Sequence, residues 1–285
     1  MSNPDLTESN MSVYKINPEV IAYLEEFRKK RGLCRENVKV LDWGCGRGQS
    51  VIRLRELGYC VMGADIDIGN LENARSLYVK LGLVWEDLLH PLNPDASSPF
   101  PNNYFDFVFS EEVIEHVEDL RSTAKELARI TAPGGMQLHL YPAHREIVED
   151  HLHMPLIHWL PKNGVRKAVI ALAMLLKFCP DWPDTNDKPF KQRLHHYFEY
   201  SVKHTHFRAW DQVRRTFFSC GFDIKFVTIN NPKLREHPVL QWLSQRRWSR
   251  PALNWVLLTF KRVELLGIKR KGNGFADYRN RLIAN

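Results

Sequence analysis

The sequence predicts a doubly wound α/β fold, a mostly parallel sheet with helices on both faces and a helical cap inserted late in the chain. Three observations carry this. From Lys39 to Tyr141, short apolar runs of strand length alternate five times with stretches of helical apolar spacing. The first run opens into Gly44-Cys45-Gly46-Arg47-Gly48, a turn of bare backbone that precedes a helix. After Pro142 the alternation stops for roughly sixty residues, too long for an ordinary connection.

Each element has a local reason. Pro18 to Arg31 reads as a helix, with proline in the first turn, Val20, Ile21, Leu24 and Phe27 at helical spacing, and Gly32 as a stop. Lys39 to Trp43 is a buried strand, and Ser50 to Leu57 a helix ended by Gly58. Cys60 to Ala64 is a second strand, followed by a helix from about Asn70 to Leu81. A third strand is expected near Leu83 to Glu86, and a proline-rich loop from Pro91 to Pro101. Strand Phe105 to Ser110, helix Leu120 to Ile130 and strand Met136 to Tyr141 complete the alternation. Beyond the break, the expected elements are helix Val165 to Phe178, a loop from Pro180 to Pro189, helix Trp210 to Cys220, strand Phe222 to Ile229 and a last strand, Asn254 to Lys261. The expected organisation is a nucleotide-binding core at 1–142, a cap at 143–203, completion of the sheet at 204–263 and a basic tail at 264–285.

Composition excludes other classes. With 285 residues, 44% apolar, 15 Gly and only 5 Cys, the chain is neither disordered, collagen-like nor a disulfide scaffold. The cysteines form no CxxC pair and are odd in number, which points to a reducing compartment. The first residues lack the pattern of a signal peptide, and no stretch of about 18 apolar residues is present to span a bilayer. A cytoplasmic protein is expected. The formal charge of +7 is uneven, because residues 233–285 hold 12 Lys and Arg against 3 acids. Nine of the 12 histidines lie between His139 and His206, where acceptor chemistry is expected.

The loop motif narrows the function. A dinucleotide-binding GxGxxG would need glycine or alanine at position 49, and Gln49 stands there. VLDWGCGRG instead resembles the first motif of the class I S-adenosylmethionine-dependent methyltransferases, within a group similar to methyltransferase type 11. Further features support the resemblance: an acid at the end of the second strand (Asp65, with Asp67 nearby), WEDLL around Asp87, PFPNNYFDFVFSEEVIEHV, and Ala132-Pro133-Gly134-Gly135 before the fifth strand. The resemblance implies a Rossmann-like seven-stranded sheet of order 3-2-1-4-5-7-6, with strand seven antiparallel. It implies S-adenosylmethionine as cofactor, held by Asp42, Gly44, Gly46, Gly48, Asp65, Ile66, Asp87, Leu88 and Ser110, with Asp65 on the ribose hydroxyls and Asp87 on the adenine amino group.

The catalytic candidates are Glu115 and His116, in Glu112-Val-Ile-Glu115-His116. If the segment is helical, Glu112, Glu115 and His116 share one face. Methyl transfer to oxygen needs a hydroxyl that loses its proton, and a histidine can take it or a divalent cation can lower the hydroxyl's pKa. ExxEH resembles ubiquinone-pathway O-methyltransferases and 3′-terminal RNA ribose methyltransferases; in the latter the triplet helps bind a metal and a further downstream histidine completes the set. A divalent metal on Glu112, Glu115 and His116 is therefore an option, and His195-His196 is similar to that downstream element. His151, His153 and His204 are candidates for the acceptor pocket, His158 and His206 lie nearby, and Glu149 and Asp150 are adjacent carboxylates.

The expected acceptor is a hydroxyl of a small molecule, glycan or lipid-linked intermediate. Two alternatives remain: an RNA ribose 2′-O-methyltransferase, and a catalytically silent S-adenosylmethionine-binding partner subunit. The apolar helix candidate Val165 to Phe178, too short to span a bilayer, reads as a cap helix, a dimer contact or an interfacial anchor. The basic C-terminal region reads as solvated surface or as a contact for nucleic acid or a membrane surface.

Overall fold

Helix α1 (Pro18–Arg31) starts where the Asn17 side chain accepts the Glu19 N–H at 3.0 Å, and it stops at Gly32, left-handed with φ 65°. Val20, Leu24 and Phe27 are its buried stripe. The computed structural model describes residues 14–149, 151–180, 182–230 and 237–271. Asp150 and the tail beyond Lys271 lie outside them, as does Lys233.

Strand β1 (Lys39–Trp43) runs through the glycine turn into α2 (Gln49–Glu56), and β2 (Cys60–Asp65) leads to α3 (Ile68–Lys80). Helix α3 starts at Ile68 rather than Asn70 because Asp67 caps it, its carboxylate accepting the Asn70 N–H at 3.2 Å. The third strand is also displaced. The segment expected as a strand at Leu83 to Glu86 becomes a 3₁₀ turn at Trp85–Asp87, and β3 is Leu89–Pro91. Burial decides this: Val84 is exposed while Leu88 and Leu89 are buried, and it is Leu89 that pairs with Gly63 of β2.

Strand β4 (Phe105–Glu111), α4 (Leu120–Ile130) and β5 (Thr131–Pro142) follow. Strand β5 absorbs the Ala132-Pro133-Gly134-Gly135 segment, which the sequence suggests as a loop. Gly134 has φ 75°, and a Cβ on Gly135 would stand 2.8 Å from the Ala132 carbonyl, so glycines let the strand kink there.

The cap segment forms a short hairpin, β6 (Val148–Glu149) with β7 (Met154–Pro155), then α5 (Gly164–Leu175), α6 (Pro183–Asn186) and α7 (Phe190–Lys203). These elements have their own core of Leu152, Met154, Ile157, Ile170, Met174 and Tyr197. Helix α5 thus buries one face in the cap and exposes Val165, Leu172 and Leu175 on the other. Next come α8 (Trp210–Ser219), β8 (Phe222–Phe226), α9 (Pro238–Gln245), α10 (Arg250–Phe260) and β9 (Arg262–Lys269).

The last strand corrects the sequence expectation. Asn254 to Phe260 lies in helix α10, whose Leu253, Leu257 and Leu258 form a buried face, Lys261 is its C-cap, and the strand is Arg262–Lys269. An unbroken apolar run such as Trp255-Val-Leu-Leu fits either period, and Pro251 in a first turn favours the helix. Strand β9 pairs antiparallel with β8, Phe222 opposite Lys269 and Phe226 opposite Leu265.

The seven long strands form one sheet of order β3-β2-β1-β4-β5-β9-β8, with β1 parallel to β2 and β4. This is the Rossmann-like order expected, the antiparallel seventh strand being β9. The described residues divide into two compact units, one running to Ser110 and adding Arg129–Leu138, the other comprising Glu111–Ala128 and the chain from His139 onward. Among the described residues, no helix is long and apolar enough to cross a membrane. All five cysteines are free.

Candidate active site

In the first unit, the glycine turn is shaped by φ and by packing together. Gly44, Gly46 and Gly48 have φ of 82°, 53° and 68°, a conformation that side chains disfavour. The N–H groups of Gly44 and Cys45 both donate to the Ala64 carbonyl, at 2.7 and 3.1 Å, which ties the turn to the end of β2. The Tyr78 hydroxyl donates to the Gly48 carbonyl at 2.8 Å, and a Cβ on Gly48 would collide with that hydroxyl. Apart from its two chain neighbours, no described residue comes within 4 Å of where a Gly46 Cβ would be, so that glycine is set by its φ and leaves open space. Helix α2 has no side-chain cap at Gly48, which leaves its first N–H groups available to a ligand.

Asp65 is the hinge of this loop. Its buried carboxylate accepts the Gly46 N–H at 2.6 Å on one oxygen and the Asp67 N–H at 2.8 Å on the other. Asp67, the competing acid, is a helix cap. Asp42, buried in β1, accepts the Ser50 hydroxyl. Ile66 is 58% exposed beside Asp65, Asp87 is exposed in the turn before β3, Leu88 is buried, and Ser110 is buried at the end of β4. Carboxylates at two strand ends, open backbone and an exposed apolar side chain are what a polar nucleoside with a flat base requires, so these residues fit S-adenosylmethionine.

Sequence reasoning missed Gly63. A Cβ there would lie 2.7 Å from Cys45 Sγ and 2.9 Å from Val51 Cγ2, so the glycine turn can pack on β2 only because position 63 has no side chain. The sole signal available was a glycine interrupting a strand.

The second unit brings together a different set. Glu112 to His116 is a turn rather than a helix, with the His116 N–H on the Val113 carbonyl at 2.9 Å and Glu112 in the left-handed region at φ 54°. The three side chains therefore do not form the helical face suggested by their spacing. Glu112 lies 3.7 Å from Arg262, an ion pair with β9, while Glu115 and His116 turn toward His151 of the cap. Ligand atoms of Glu115, His116 and His151 all lie within 4.8 Å of one another.

The hydrogen bonds around the two histidines fix their roles. His116 Nδ1 is 2.5 Å from the His204 carbonyl, which only accepts, so the proton sits on Nδ1 and Nε2 is bare. His151 Nδ1 is 2.8 Å from Glu149 Oε1, and the two Nε2 atoms face each other at 3.1 Å. Glu149 is held below the ordinary carboxylate range: burial opposes this, but hydrogen bonds from His151 and the Leu152 N–H outweigh it. Burial is the main reason that His116 is pushed down. Burial first, and then the charge of Glu112, push Glu115 well up. Among the described residues the buried Tyr141 hydroxyl has no hydrogen-bond partner, and burial together with Glu115 raises its pKa.

The remaining histidines separate. The His204 ring stacks on Tyr200 at 5.5 Å, and only its carbonyl meets His116. His153 is exposed in the hairpin turn at φ 53°, outside the cluster. His196 packs edge-on against Trp182 at 5.5 Å, and His195 lines a groove on α7; among the described residues neither joins the metal-competent group.

Residues 41–138 match a family model described as methyltransferase domain. The ubiquinone biosynthesis O-methyltransferase of Brucella anthropi is 29% identical over 131 residues, which cover 44% of this chain and 52% of that protein. Its counterpart in Rhodopseudomonas palustris is 29% identical over 141 residues, 47% of this chain and 54% of that one. The chain spans about half the length of the curated relatives it matches. Among solved structures, the YcgJ protein from Bacillus subtilis aligns with a TM-score of 0.49 at 15% identity, over 90% of this chain and all of that one. The match over 41–138, about a third of the chain, is to a methyltransferase domain, and the glycine turn on β1 and the sheet order agree with that likeness.

Proposed function

We propose that this protein transfers a methyl group from S-adenosylmethionine to a hydroxyl of a small-molecule, glycan or lipid-linked acceptor. The observation that carries the reading is the chain Glu149–His151–His116, with bare Nε2 atoms 3.1 Å apart and Glu115 buried beside them. The O-methyltransferase names of the relatives at 29% identity agree with it.

S-adenosylmethionine, when bound, supplies a methyl on a sulfonium sulfur that keeps the bonding pair as a thioether when the acceptor oxygen takes the carbon. The glycine turn, Asp42, Asp65, Ile66, Asp87, Leu88 and Ser110 are the residues that would hold it. His116 Nε2 accepts the hydroxyl proton as the oxygen attacks, and His151 shares the proton across the short gap. Glu149, ionised on His151 Nδ1, stabilises the imidazolium that results. Glu115, whose protonated form burial favours, adds a donor for the acceptor's oxygen.

One specific observation favours a second reading. Glu115, His116 and His151 offer three ligand atoms within 4.8 Å, and two bare imidazole nitrogens at 3.1 Å suit adjacent positions on one divalent cation. Such a cation would lower the pKa of the acceptor hydroxyl. The two readings use the same side chains and differ in their response to chelation.

The test is transfer of labelled methyl to fractionated cell extract, followed by mass spectrometry of the product. Labelling of a hydroxyl-bearing metabolite that disappears in His116→Ala supports the reading. Label on RNA alone replaces it with the ribose methyltransferase alternative. S-adenosylmethionine binding with no effect of Glu115→Gln or His116→Ala on function replaces it with the silent-partner alternative.

A further inference from the structure

Lys162, Arg166 and Arg208 converge on one pocket of about 330 Å³ in the second unit, which His158, His206 and Gln212 also line. Their partners are unusual. Lys162 Nζ donates to the carbonyls of Val202 and Thr205 at 2.6 and 2.7 Å. Arg166, 3% exposed, donates from Nε to the Leu160 carbonyl at 3.0 Å and from Nη1 to the Ser201 carbonyl at 2.8 Å. Arg208 donates to the His206 carbonyl at 2.9 Å and to the Glu118 carbonyl at 2.6 Å. Among the described residues, none of the three forms an ion pair with a carboxylate. Glu118, Glu149 and Asp119 act on Lys162, Arg166 and Arg208 respectively only through their distant charge.

Carbonyls orient a cation without neutralising it. Burial holds all three below their ordinary pKa values, and Lys162 is further lowered by the charges of Arg166 and Arg208. Three like charges around one cavity repel, and the cost is offset when an anion of more than one charge completes the set. A carboxylate would leave two of the three uncompensated, whereas a phosphoryl group carries the charge to match them. His158 also lines the pocket, and burial pushes its pKa down to about 4, so it adds no charge of its own near neutral pH.

The pocket adjoins the reactive turn by shared backbone. The His206 N–H donates to the Glu115 carbonyl at 2.5 Å, and Arg208 reaches the Ile114 carbonyl at 3.5 Å. We propose that this pocket binds a phosphoryl group, and that the group is the phosphate or diphosphate of the acceptor. The anion site stands on the pocket itself; its assignment to the acceptor rests on the methyl-transfer reading.

The experiment is calorimetric titration of the full chain with inorganic pyrophosphate at low ionic strength, alone and beside a separate titration with S-adenosylhomocysteine. One saturable site is expected, weakened about tenfold or more in Lys162→Met and in Arg208→Gln, as befits loss of a charged hydrogen bond. Lys162 is on the exposed rim, so its variant is expected to fold; equal thermal melting to the parent confirms that. Lys191→Met, on α7 outside this pocket, is expected to bind as the parent does. Absence of a saturable site, parental affinity in Lys162→Met, or an equal loss in Lys191→Met would overturn the anion site. Displacement by a soluble sugar phosphate, or only by a prenyl phosphate in micelles, supports the acceptor assignment and distinguishes its two sources. Displacement by neither overturns that assignment. Loss of S-adenosylhomocysteine binding with pyrophosphate binding intact would instead count against the methyl-transfer reading.

Discussion

His116 and His151 meet through their Nε2 atoms at 3.1 Å while each turns Nδ1 onto an oxygen, the His204 carbonyl for one and the Glu149 carboxylate for the other. Two bare imidazole nitrogens at that distance repel unless a proton or a cation lies between them. A proton or a cation shared between the two Nε2 atoms would relieve that repulsion. His116→Ala is expected to lower turnover by a factor on the order of 10² to 10⁴, the usual contribution of a positioned base, without changing S-adenosylmethionine affinity. Radiometric initial rates and calorimetry check this together; parental turnover would remove His116 from the chemistry.

The relay reading also predicts the response to chelation. Turnover is expected to persist after incubation with excess chelator, because His116 and His151 share a proton without a metal. Loss of activity, restored by one equivalent of a divalent ion, would move the assignment to the cation reading on the same three residues.

At the cofactor loop, the two neighbouring acids separate cleanly. Asp65→Ala removes the acceptor of both the Gly46 and Asp67 N–H groups and is expected to abolish S-adenosylmethionine binding by calorimetry. Asp67→Ala removes only a helix cap, at a cost of about 1 kcal/mol in stability, with affinity kept. Reversed effects would transfer the cofactor role to Asp67.

Gly63→Ala tests the packing beneath the loop. Its Cβ would press on Cys45 and Val51, both buried, so about 1–3 kcal/mol of stability is expected to be lost and cofactor affinity with it. Denaturant midpoints and titration measure the two effects. Full retention of both would mean that the turn can shift freely, contrary to its ties to Ala64.

Acid sensitivity should begin at histidine pH. His139 is fully buried and burial alone lowers its pKa from 6.5 to about 3, so the unfolded chain takes up this proton first. Its stabilising effect is complete above pH 6.5 and declines as pH falls toward 3, with up to about 2 kcal/mol lost by pH 5 from this residue. Urea midpoints at pH 7.5 and 5 should fall less far apart in His139→Gln than in the parent. An equal separation would show that other groups set the acid limit.

What could be read in the sequence follows the range of the interactions that fix each feature. The first-turn proline Pro18, the Gly32 stop and the glycine turn are set within a few residues, and all were legible. Asp65 was legible as the acid at a strand end. Helix α10 was not, because Leu253, Leu257 and Leu258 fit both periods until a partner surface selects one. Strand β3 shifted for the same reason, its register being chosen by Gly63 across the sheet.

The sequence by itself therefore determined the sheet core, the glycine loop and the likeness to a methyltransferase domain, since those rest on local periodicity, turn chemistry and a contiguous motif. Only the tertiary structure decided the proposed reactive set. Within one pentapeptide Glu112 is drawn to Arg262 of the last strand, while Glu115 and His116 turn to His151, thirty-five residues further along the chain. The carbonyl-held cations of the pocket beside them come from the cap and from Arg208. Such groupings depend on charge pairing and burial between distant segments, and spacing along the chain carries no record of them.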